Sequence, residues 1–204
     1  MDKSIYFDKI EITKNQLIID SLNLPWVALD VSLVEAYIPA LKRTALVFDL
    51  TKNKSHILCS DSSNWALERR DFSLEVWFYP FNYSHGDLIS TNSYINDFSI
   101  TLYEDGGFGY YDSREPHYVS GHTYVLNQWN HLALTRHDLE FSLFLDGQKC
   151  LSKFSDIDIP HKHPTVVGGS SYWNYDGYIG NINLSSACLY NANFSPKWMP
   201  TVEA

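Results

Sequence analysis

The segment 170–178 carries side chains suited to binding a ligand that is rich in hydroxyl groups. Its candidate binding residues are Tyr172, Trp173, Asn174, Tyr175 and Asp176. Flat aromatic rings offer a large contact area at a small cost in side-chain entropy, while amide and carboxylate groups form hydrogen bonds with hydroxyls. We therefore predict a ligand-binding loop here. The alternative is structural, with Trp173 packed against a neighbouring loop or subunit.

A second aromatic patch surrounds Glu115-Pro116, and its candidate binding residues are Tyr111 and Tyr118. A wide loop at the rim of a β-fold could present both rings to a ligand. The same composition also fits a loop that packs against its own rings. The sequence leaves these two interpretations open.

The sequence lacks the patterns typical of catalytic or metal sites. It has no Gly-x-Ser-x-Gly nucleophile motif, and its acidic residues lie on separate segments. His161 and His163 lie close to Asp158 in the sequence, but prolines bracket the histidines and no further ligand stands nearby, so we expect loop histidines without a metal. No C-x-x-C spacing joins the three cysteines, Cys59, Cys150 and Cys188, which argues against zinc. We predict a non-catalytic protein without a cofactor.

Composition limits the partners that the chain can bind. It has 204 residues, of which 45% are hydrophobic, and a net charge of -9 at pH 7. A negative field repels phosphate backbones, so we expect no nucleic-acid partner. No apolar run is long enough for a membrane span or a signal peptide, which predicts synthesis in a cytoplasm without export by a cleaved signal.

Short alternating runs separated by turn signals predict an antiparallel β-sandwich. In the run 72–78, the side chains of one face are all large and apolar: Phe72, Leu74, Val76 and Phe78. The opposite face ends in aromatic residues, so we expect either another segment or a ligand to cover it. Asp146-Gly147 predicts a tight hairpin, since both residues tolerate the positive φ of a type I′ turn.

Residues 1–43 have a different pattern, with short apolar runs around Thr13-Lys14-Asn15 and Leu24-Pro25-Trp26. They either supply the first strands of the sandwich or form an attachment segment that docks to a partner or to the chain itself. We place the boundary near Lys42-Arg43, with the main domain over 44–204.

From Ala45 onward, several motifs follow the order found in laminin G-like domains, and the chain resembles that group of the concanavalin A-like lectin/glucanase family. The motifs are ALVFD (45–49), DSSNWALERRDFSLEVWFYP (61–80), NQWNHLALTR (127–136), LEFSLFLDGQ (139–148) and GGSSYWNYDGYIGNINLSSACLYNANFSP (168–196). The resemblance implies an all-β, antiparallel jelly-roll sandwich that binds rather than catalyses. It also places Trp77 and Trp129 in the core.

The ending LYNANFSP resembles the variant of this domain in tailed-phage and other virion proteins. This resemblance implies a tail- or capsid-associated virion protein, assembled in a host cytoplasm, that contacts a host-surface glycan or other virion subunits. It would act as a homo-oligomer or as part of a larger assembly. Two alternatives are a carbohydrate-binding or adhesion module of a bacterial cell surface, and a scaffold or decoration subunit without a ligand.

The resemblance also bears on calcium. Family members often have Asp where this chain has Gly180, and Gly where it has Leu50, and an acidic residue in this region commonly holds a structural Ca²⁺. Losing a carboxylate weakens such a site. Asp49 and Asp176 remain as candidate ligands, and the departure argues against bound calcium.

Overall fold

The computed structural model describes residues 4–6, 17–19, 25–52, 54–60, 67–91, 98–159, 164–169 and 174–198. All strands in these ranges belong to two sheets. The first sheet contains β1 (Ser4–Tyr6), β4 (Ser32–Ile38), β5 (Arg43–Asp49), β7 (Phe72–Pro80), β12 (Asn130–His137), β13 (Glu140–Leu145), β14 (Gln148–Phe154) and β16 (Gly177–Ser185). The second contains β2 (Leu17–Ile19), β3 (Pro25–Leu29), β6 (His56–Cys59), β8 (Gly86–Thr91), β9 (Phe98–Leu102), β10 (Phe108–Asp112), β11 (Pro116–Val119) and β15 (Thr165–Val167).

Both sheets are antiparallel, which confirms the predicted fold class. The first sheet has the order β14-β13-β12-β7-β16-β5-β4, with β1 also paired to β16. The second has the order β11-β10-β9-β8-β15-β6-β3-β2. Among the described residues, no helix is long and apolar enough to cross a membrane.

The hydrophobic core lies between the sheets and contains the predicted alternating rows. On β7 the buried row consists of Phe72, Leu74, Val76 and Phe78. On β9 the row consists of Phe98, Ile100 and Leu102, and on β13 of Phe141, Leu143 and Leu145. Because side chains alternate across a strand, the residues between them face away from the core. All three cysteines are free, and Cys59 is buried.

Among the turns with positive φ, two bear on the strands that the sequence predicts. Asp146 (φ 49°) and Gly147 (φ 79°) join β13 to β14, as the sequence predicts. Asp30 (φ 54°) separates β3 from β4, although the residues around it alternate like a single strand. This turn sends β3 into the second sheet and β4 into the first, so the chain changes layers there.

The described parts of residues 1–43 contribute strands to both sheets. β1 pairs with β16, β2 with β3, β3 with β6, and β4 with β5. Whether residues 1–43 form a separate attachment segment or part of the main domain stays a prediction. β5 begins at Arg43, so the boundary expected near that residue coincides with a strand in the first sheet.

Candidate functional site

Tyr111 and Tyr118, both predicted as binding residues, lie on the outer face of the second sheet. Tyr111 is on β10 and Tyr118 on β11, while their neighbours Tyr110 and Val119 point into the core. Tyr118 is 46% exposed and Tyr111 is half-buried. The alternation of these two strands therefore turns both rings outward, on neighbouring strands of one face.

Strand register brings polar residues beside the two rings. One row across the sheet contains Tyr118, Gly109, Thr101 and Asp87. The adjacent row contains Pro116, Tyr111, Ser99 and Ser90. We call the outward-facing set the tyrosine face, and it consists of Tyr111, Tyr118, Ser99, Thr101 and Asp87. Adjacent strands lie about 4.8 Å apart, so β11 and β8 are separated by about 14 Å.

Hydrogen bonds hold the polar part of the tyrosine face in place. Ser99 Oγ lies 2.9 Å from Thr101 Oγ1, which donates a 2.7 Å bond to Asp87 Oδ1. Asp87 is only 6% exposed. Burial raises the pKa of the nearby Tyr103 hydroxyl, and the negative charge of Asp87 adds to the effect. A chain of oriented hydroxyls that ends on a carboxylate is preorganised to exchange hydrogen bonds with a ligand.

The ring of Tyr118 is fixed from one end. Its hydroxyl donates a 2.7 Å bond to Asp105 Oδ2, and the backbone N–H of Gly107 donates a 2.9 Å bond to Asp105 Oδ1. The Tyr118 hydrogen bond is the main reason that the pKa of Asp105 lies below its usual value. Tyr103 packs against the same ring at 5.3 Å between centroids. The exposed ring of Tyr118 therefore keeps one orientation.

The predicted loop starts beside the same face. The carbonyl oxygen of Gly169 accepts a 3.5 Å bond from Ser90 Oγ, and Gly169 forms a β-bridge with Asn174. Because Ser90 belongs to the row of Tyr111, this bond places the Gly169 carbonyl at the outer side of the second sheet. Tyr172 and Trp173 lie outside the described residues, so their binding role stays a prediction.

Tyr175 and Asp176 do not join the tyrosine face. Tyr175 is 2% exposed, packs against Phe78 in the core, and donates a 3.0 Å bond to the carbonyl oxygen of Tyr178. Burial raises its pKa well above the usual value. The structure thus corrects its predicted place in an exposed loop, because a ring in the core cannot stack on a ligand. Asp176 is half-buried and accepts a hydrogen bond from Asn82.

The candidate calcium ligands already have protein partners. Asp49 Oδ1 accepts bonds from the backbone N–H (3.1 Å) and hydroxyl (2.7 Å) of Thr51, and its Oδ2 accepts a 3.3 Å bond from Ser32. Gly180 has a packing role, because a side chain there would collide with the ring of Trp198. Calcium binding stays untested.

A different set of three possible metal ligands, Asp71, His137 and Asp138, occurs elsewhere in the described residues. His137 Nδ1 lies 3.0 Å from Asp71 Oδ2, and the two carboxylates flanking its ring raise the pKa of His137. His137 and Asp138 are exposed. An exposed ion-pair cluster explains this geometry without a metal.

The outer face of the first sheet carries a continuous row of rings that the sequence does not reveal. We call it the aromatic row, and its members in spatial order are Phe81, Tyr178, Tyr79, Trp129, Trp198, Trp77, His131, Phe194 and Tyr190. Successive centroids lie 3.6–5.9 Å apart. Trp77 and Trp129 belong to this row and pack against a second buried cluster, Ile38, Val47 and Trp198. The core that they join therefore lies on the outer side of the first sheet and not between the sheets.

Residues 186–198, which we call the C-terminal strap, cross this outer face and cover part of the aromatic row. Glu75 Oε1 accepts a 3.0 Å bond from Asn183, and its Oε2 accepts a 3.1 Å bond from the strap residue Tyr190. His131 Nε2 lies 3.2 Å from the same Oε2 atom. Burial, with the negative charge of Glu75, raises the pKa of Tyr190, so its hydroxyl stays protonated and donates. The strap is therefore part of the folded structure.

Residues 51–193 match the family model described as the concanavalin A-like lectin/glucanases superfamily, a laminin G-like family. The chain belongs to this superfamily. The match covers the strands from β6 to β16 and thus most of both sheets. No curated protein matches the chain.

Solved structures of this fold come from several kinds of protein. Domain 4 of an extracellular GH43 arabinanase from Geobacillus stearothermophilus, in complex with arabinotriose, is 16% identical with a TM-score of 0.66, and the match covers 92% of each chain. The binding domain of Paraclostridial mosquitocidal protein 1 is 17% identical with a TM-score of 0.68, over 87% of this chain and 48% of that one.

A Trypanosoma rangeli sialidase bound to the inhibitor DANA is 12% identical with a TM-score of 0.62, over 92% of this chain and 31% of the sialidase. At these identities the likenesses show the shared fold alone. They include parts of glycan-degrading enzymes, but they supply no evidence of catalysis by this chain.

Proposed function

We propose that this chain is a non-catalytic glycan-recognition domain that binds through the tyrosine face. The observation that carries the proposal is the register of β11, β10, β9 and β8. It places two outward tyrosine rings beside a hydrogen-bonded series of polar side chains, Ser99, Thr101 and Asp87. The superfamily and the arabinotriose complex of a similar domain support a sugar as the ligand.

The chemistry of the face fits a sugar. The C–H groups on one side of a sugar ring pack on the flat faces of Tyr111 and Tyr118, which lose little side-chain entropy on binding. Sugar hydroxyls then exchange hydrogen bonds with Ser99, which the buried Thr101–Asp87 pair orients from behind. A shallow site of this kind binds with an affinity of about 1 mM, near 4 kcal/mol.

We further propose the setting in which this weak affinity would be useful. Several copies on one particle raise avidity by roughly 10²–10⁴ without new contacts. The resemblance of the ending LYNANFSP to virion proteins supports a tail- or capsid-associated protein, assembled in a host cytoplasm, with a host-surface glycan or other virion subunits as partners. The arabinanase domain, matched over 92% of each chain, supports the alternative of a bacterial carbohydrate-binding module. A purified particle in which this chain is detected by mass spectrometry would separate the two.

Replacing Tyr118 with alanine tests the binding face. Because this removes an exposed stacking ring, we expect Tyr118→Ala to weaken binding about tenfold on an array of neutral and sialylated oligosaccharides that includes arabinotriose. Tyr111→Ala should have a similar effect. The matched control is Tyr37→Ala, since Tyr37 is 59% exposed but lies on the first sheet.

Unchanged thermal unfolding would show that the variants fold. Glycan binding of unchanged affinity in both tyrosine variants would overturn the tyrosine face as the site. A scaffold or decoration subunit predicts the reverse pattern, in which no glycan binds and the substitutions impair assembly of the particle.

A further inference from the structure

The second sheet, which carries the tyrosine face, has acidic but no strongly basic side chains in its strands. None of the eight strands that the structure describes there contains lysine or arginine, whereas Asp87 and Asp112 lie on β8 and β10. The strands of the first sheet contain four such basic residues: Arg43, Arg136, Lys149 and Lys153. No described strand of the second sheet therefore supplies a lysine or arginine that could neutralise carboxylates near the tyrosine face.

The turn from β9 to β10 adds two exposed carboxylates, Glu104 and Asp105, beside this face. Asp105 accepts the hydrogen bond of the Tyr118 hydroxyl, and this bond is the main reason that the pKa of Tyr118 lies above its usual value. Burial lowers the pKa of His85, which packs against Tyr103, and the charge of Glu104 opposes that shift. Negative charge is therefore felt by the side chains around the Tyr118 ring.

The neighbouring turn, between β10 and β11, is balanced by ion pairs. Arg114 is the only lysine or arginine in the sequence from residue 86 to residue 119. Its guanidinium donates a 3.2 Å bond to Asp156, which follows β14 of the first sheet. Lys153 Nζ lies 3.5 Å from Glu115 Oε1. Since each cation at this turn has a carboxylate partner, Asp87, Glu104 and Asp105 set the charge of the tyrosine face.

This charge favours a ligand that carries a cation. A carboxylate can accept about four hydrogen bonds, and the exposed Asp105 can add a charge-assisted bond from an ammonium group to those it accepts from Tyr118 and Gly107. The face of an exposed tyrosine ring also attracts an ammonium group. Asp87 is only 6% exposed, so it acts on a ligand through its field and not by contact. Phosphate, sulfate or carboxylate groups are repelled by the same field.

We propose that the tyrosine face selects glycans with free amino groups, such as chains of unacetylated glucosamine, over neutral and acidic sugars. The rings of Tyr111 and Tyr118 stack on the sugar, and the carboxylate of Asp105 binds the ammonium group beside them. Neutral sugars still stack on the same rings but gain nothing from the charge. This inference rests on the proposed function, because it assigns a ligand class to the same face.

The experiment is an NMR titration of the whole chain with three hexasaccharides: glucosamine hexamer with free amines, its N-acetylated counterpart, and hexagalacturonate. At about pH 5.5 the amines are protonated, while the lowered pKa of Asp105 keeps its carboxylate charged. At an ionic strength of about 0.01 M, we expect the amino hexamer to bind about tenfold more tightly than the acetylated one. At about 1 M, where charges are screened beyond about 3 Å, this preference should fall to about twofold.

Neutral variants of similar shape test which charges are responsible. Asp105→Asn with Glu104→Gln should reduce the preference for the amino hexamer to about twofold, with unchanged thermal unfolding. Glu104→Gln alone leaves the bond between Asp105 and Tyr118 in place, and should reduce the preference to about fivefold. The matched control is Glu140→Gln, an exposed carboxylate on the first sheet, which should retain the full preference. A full preference in the double variant would overturn the assignment.

The remaining outcomes separate this inference from the proposed function. Equal affinity for the two glucosamine hexamers, weakened for both in Tyr118→Ala, would overturn the amine selectivity and leave the tyrosine face as a glycan site. Tighter binding of hexagalacturonate would also overturn the selectivity. Binding of the amino hexamer that Tyr118→Ala does not weaken would overturn it as well, because it would reflect general attraction to a chain of charge -9. Failure to bind any glycan would overturn the proposed function itself.

Discussion

The two outer faces of the sandwich are built by the same strand alternation but differ in what covers them. On the first sheet, the strap covers the outer face: its Tyr190 hydroxyl donates a hydrogen bond to Glu75, and its Trp198 ring lies between Trp77 and Trp129. On the second sheet, the polar groups bond to one another along Ser99, Thr101 and Asp87, and the ring of Tyr118 stays 46% exposed.

This difference shows that a polar or aromatic residue on an outer face can either stabilise the fold or form part of a binding surface. Which of the two it does depends on whether another segment covers it. Glu75 cannot be solvated, so it needs partners from the strap, and losing either side leaves a buried group unpaired. Asp105 can be solvated, so its bond to Tyr118 orients a ring at little cost in stability. Substitutions on the first sheet should therefore lower stability, and substitutions on the tyrosine face should lower binding.

The substitution expected to have the largest effect is Trp198→Ala, which tests whether the covered face of the first sheet contributes to stability. Trp198 is 8% exposed and fills the space between Trp77, Trp129 and Gly180. Removing a buried indole typically costs 3–5 kcal/mol, so we expect a loss of about 3 kcal/mol in the free energy of unfolding, measured by urea denaturation.

Tyr118→Ala is the matched substitution on the opposite sheet and should leave the free energy of unfolding close to that of the unchanged chain. A loss below about 1 kcal/mol for Trp198→Ala would show that the strap does not anchor to the first sheet. The two faces would then be energetically alike.

The next test, Glu75→Ala, removes the acceptor at the centre of the strap network. Asn183 would keep a buried donor and Tyr190 a half-buried donor without a partner, and an unsatisfied buried group costs about 1–3 kcal/mol. We expect the free energy of unfolding to fall by about 2 kcal/mol, together with faster proteolysis of residues 186–198.

Glu140→Ala is the control, because Glu140 is exposed and bonds only at the surface to Ser152 and Lys149. Glu140→Ala should leave the free energy of unfolding nearly unchanged, because exposed ion pairs contribute little to stability. Equal losses for the two glutamates would remove the energetic distinction between the covered face and the rest of the surface.

The alternation of apolar and polar residues along single strands was enough to predict which side chains lie between the sheets. The row from Phe72 to Phe78 and the turn at Asp146-Gly147 depend on neighbouring residues, and both occur as predicted. The outward direction of Tyr111 and Tyr118 follows from the same period of two. Their alignment with Asp87 depends on pairing between four strands, which a single sequence does not specify.

The misjudged residues all depend on contacts between distant segments. The family resemblance places Trp77 and Trp129 in the core, and they do pack against buried residues, but that cluster lies outside the first sheet and includes Trp198, far along the chain. Tyr175 lies in a polar loop sequence but turns inward against Phe78. The change of sheet at Asp30 is hidden because apolar alternation continues on both sides of the turn.

The smallest expected effect concerns the hydrogen bond between the exposed side chains of Tyr118 and Asp105. The Tyr118 hydroxyl is the largest cause of the lowered pKa of Asp105, so Tyr118→Phe should raise that pKa towards the ordinary value of 3.8. Because the folded-state pKa is depressed, the stability that this bond contributes is present above about pH 4 and disappears as the pH falls through the folded pKa.

Carboxyl-carbon NMR titration of Asp105 in the two proteins measures the change directly. Phenylalanine keeps the stacking ring, so glycan binding should change far less than in Tyr118→Ala. An unchanged Asp105 titration would mean that the bond does not form in solution and that the ring of Tyr118 is free to rotate. The second sheet would then lack the fixed orientation that distinguishes a binding face from an ordinary exposed tyrosine.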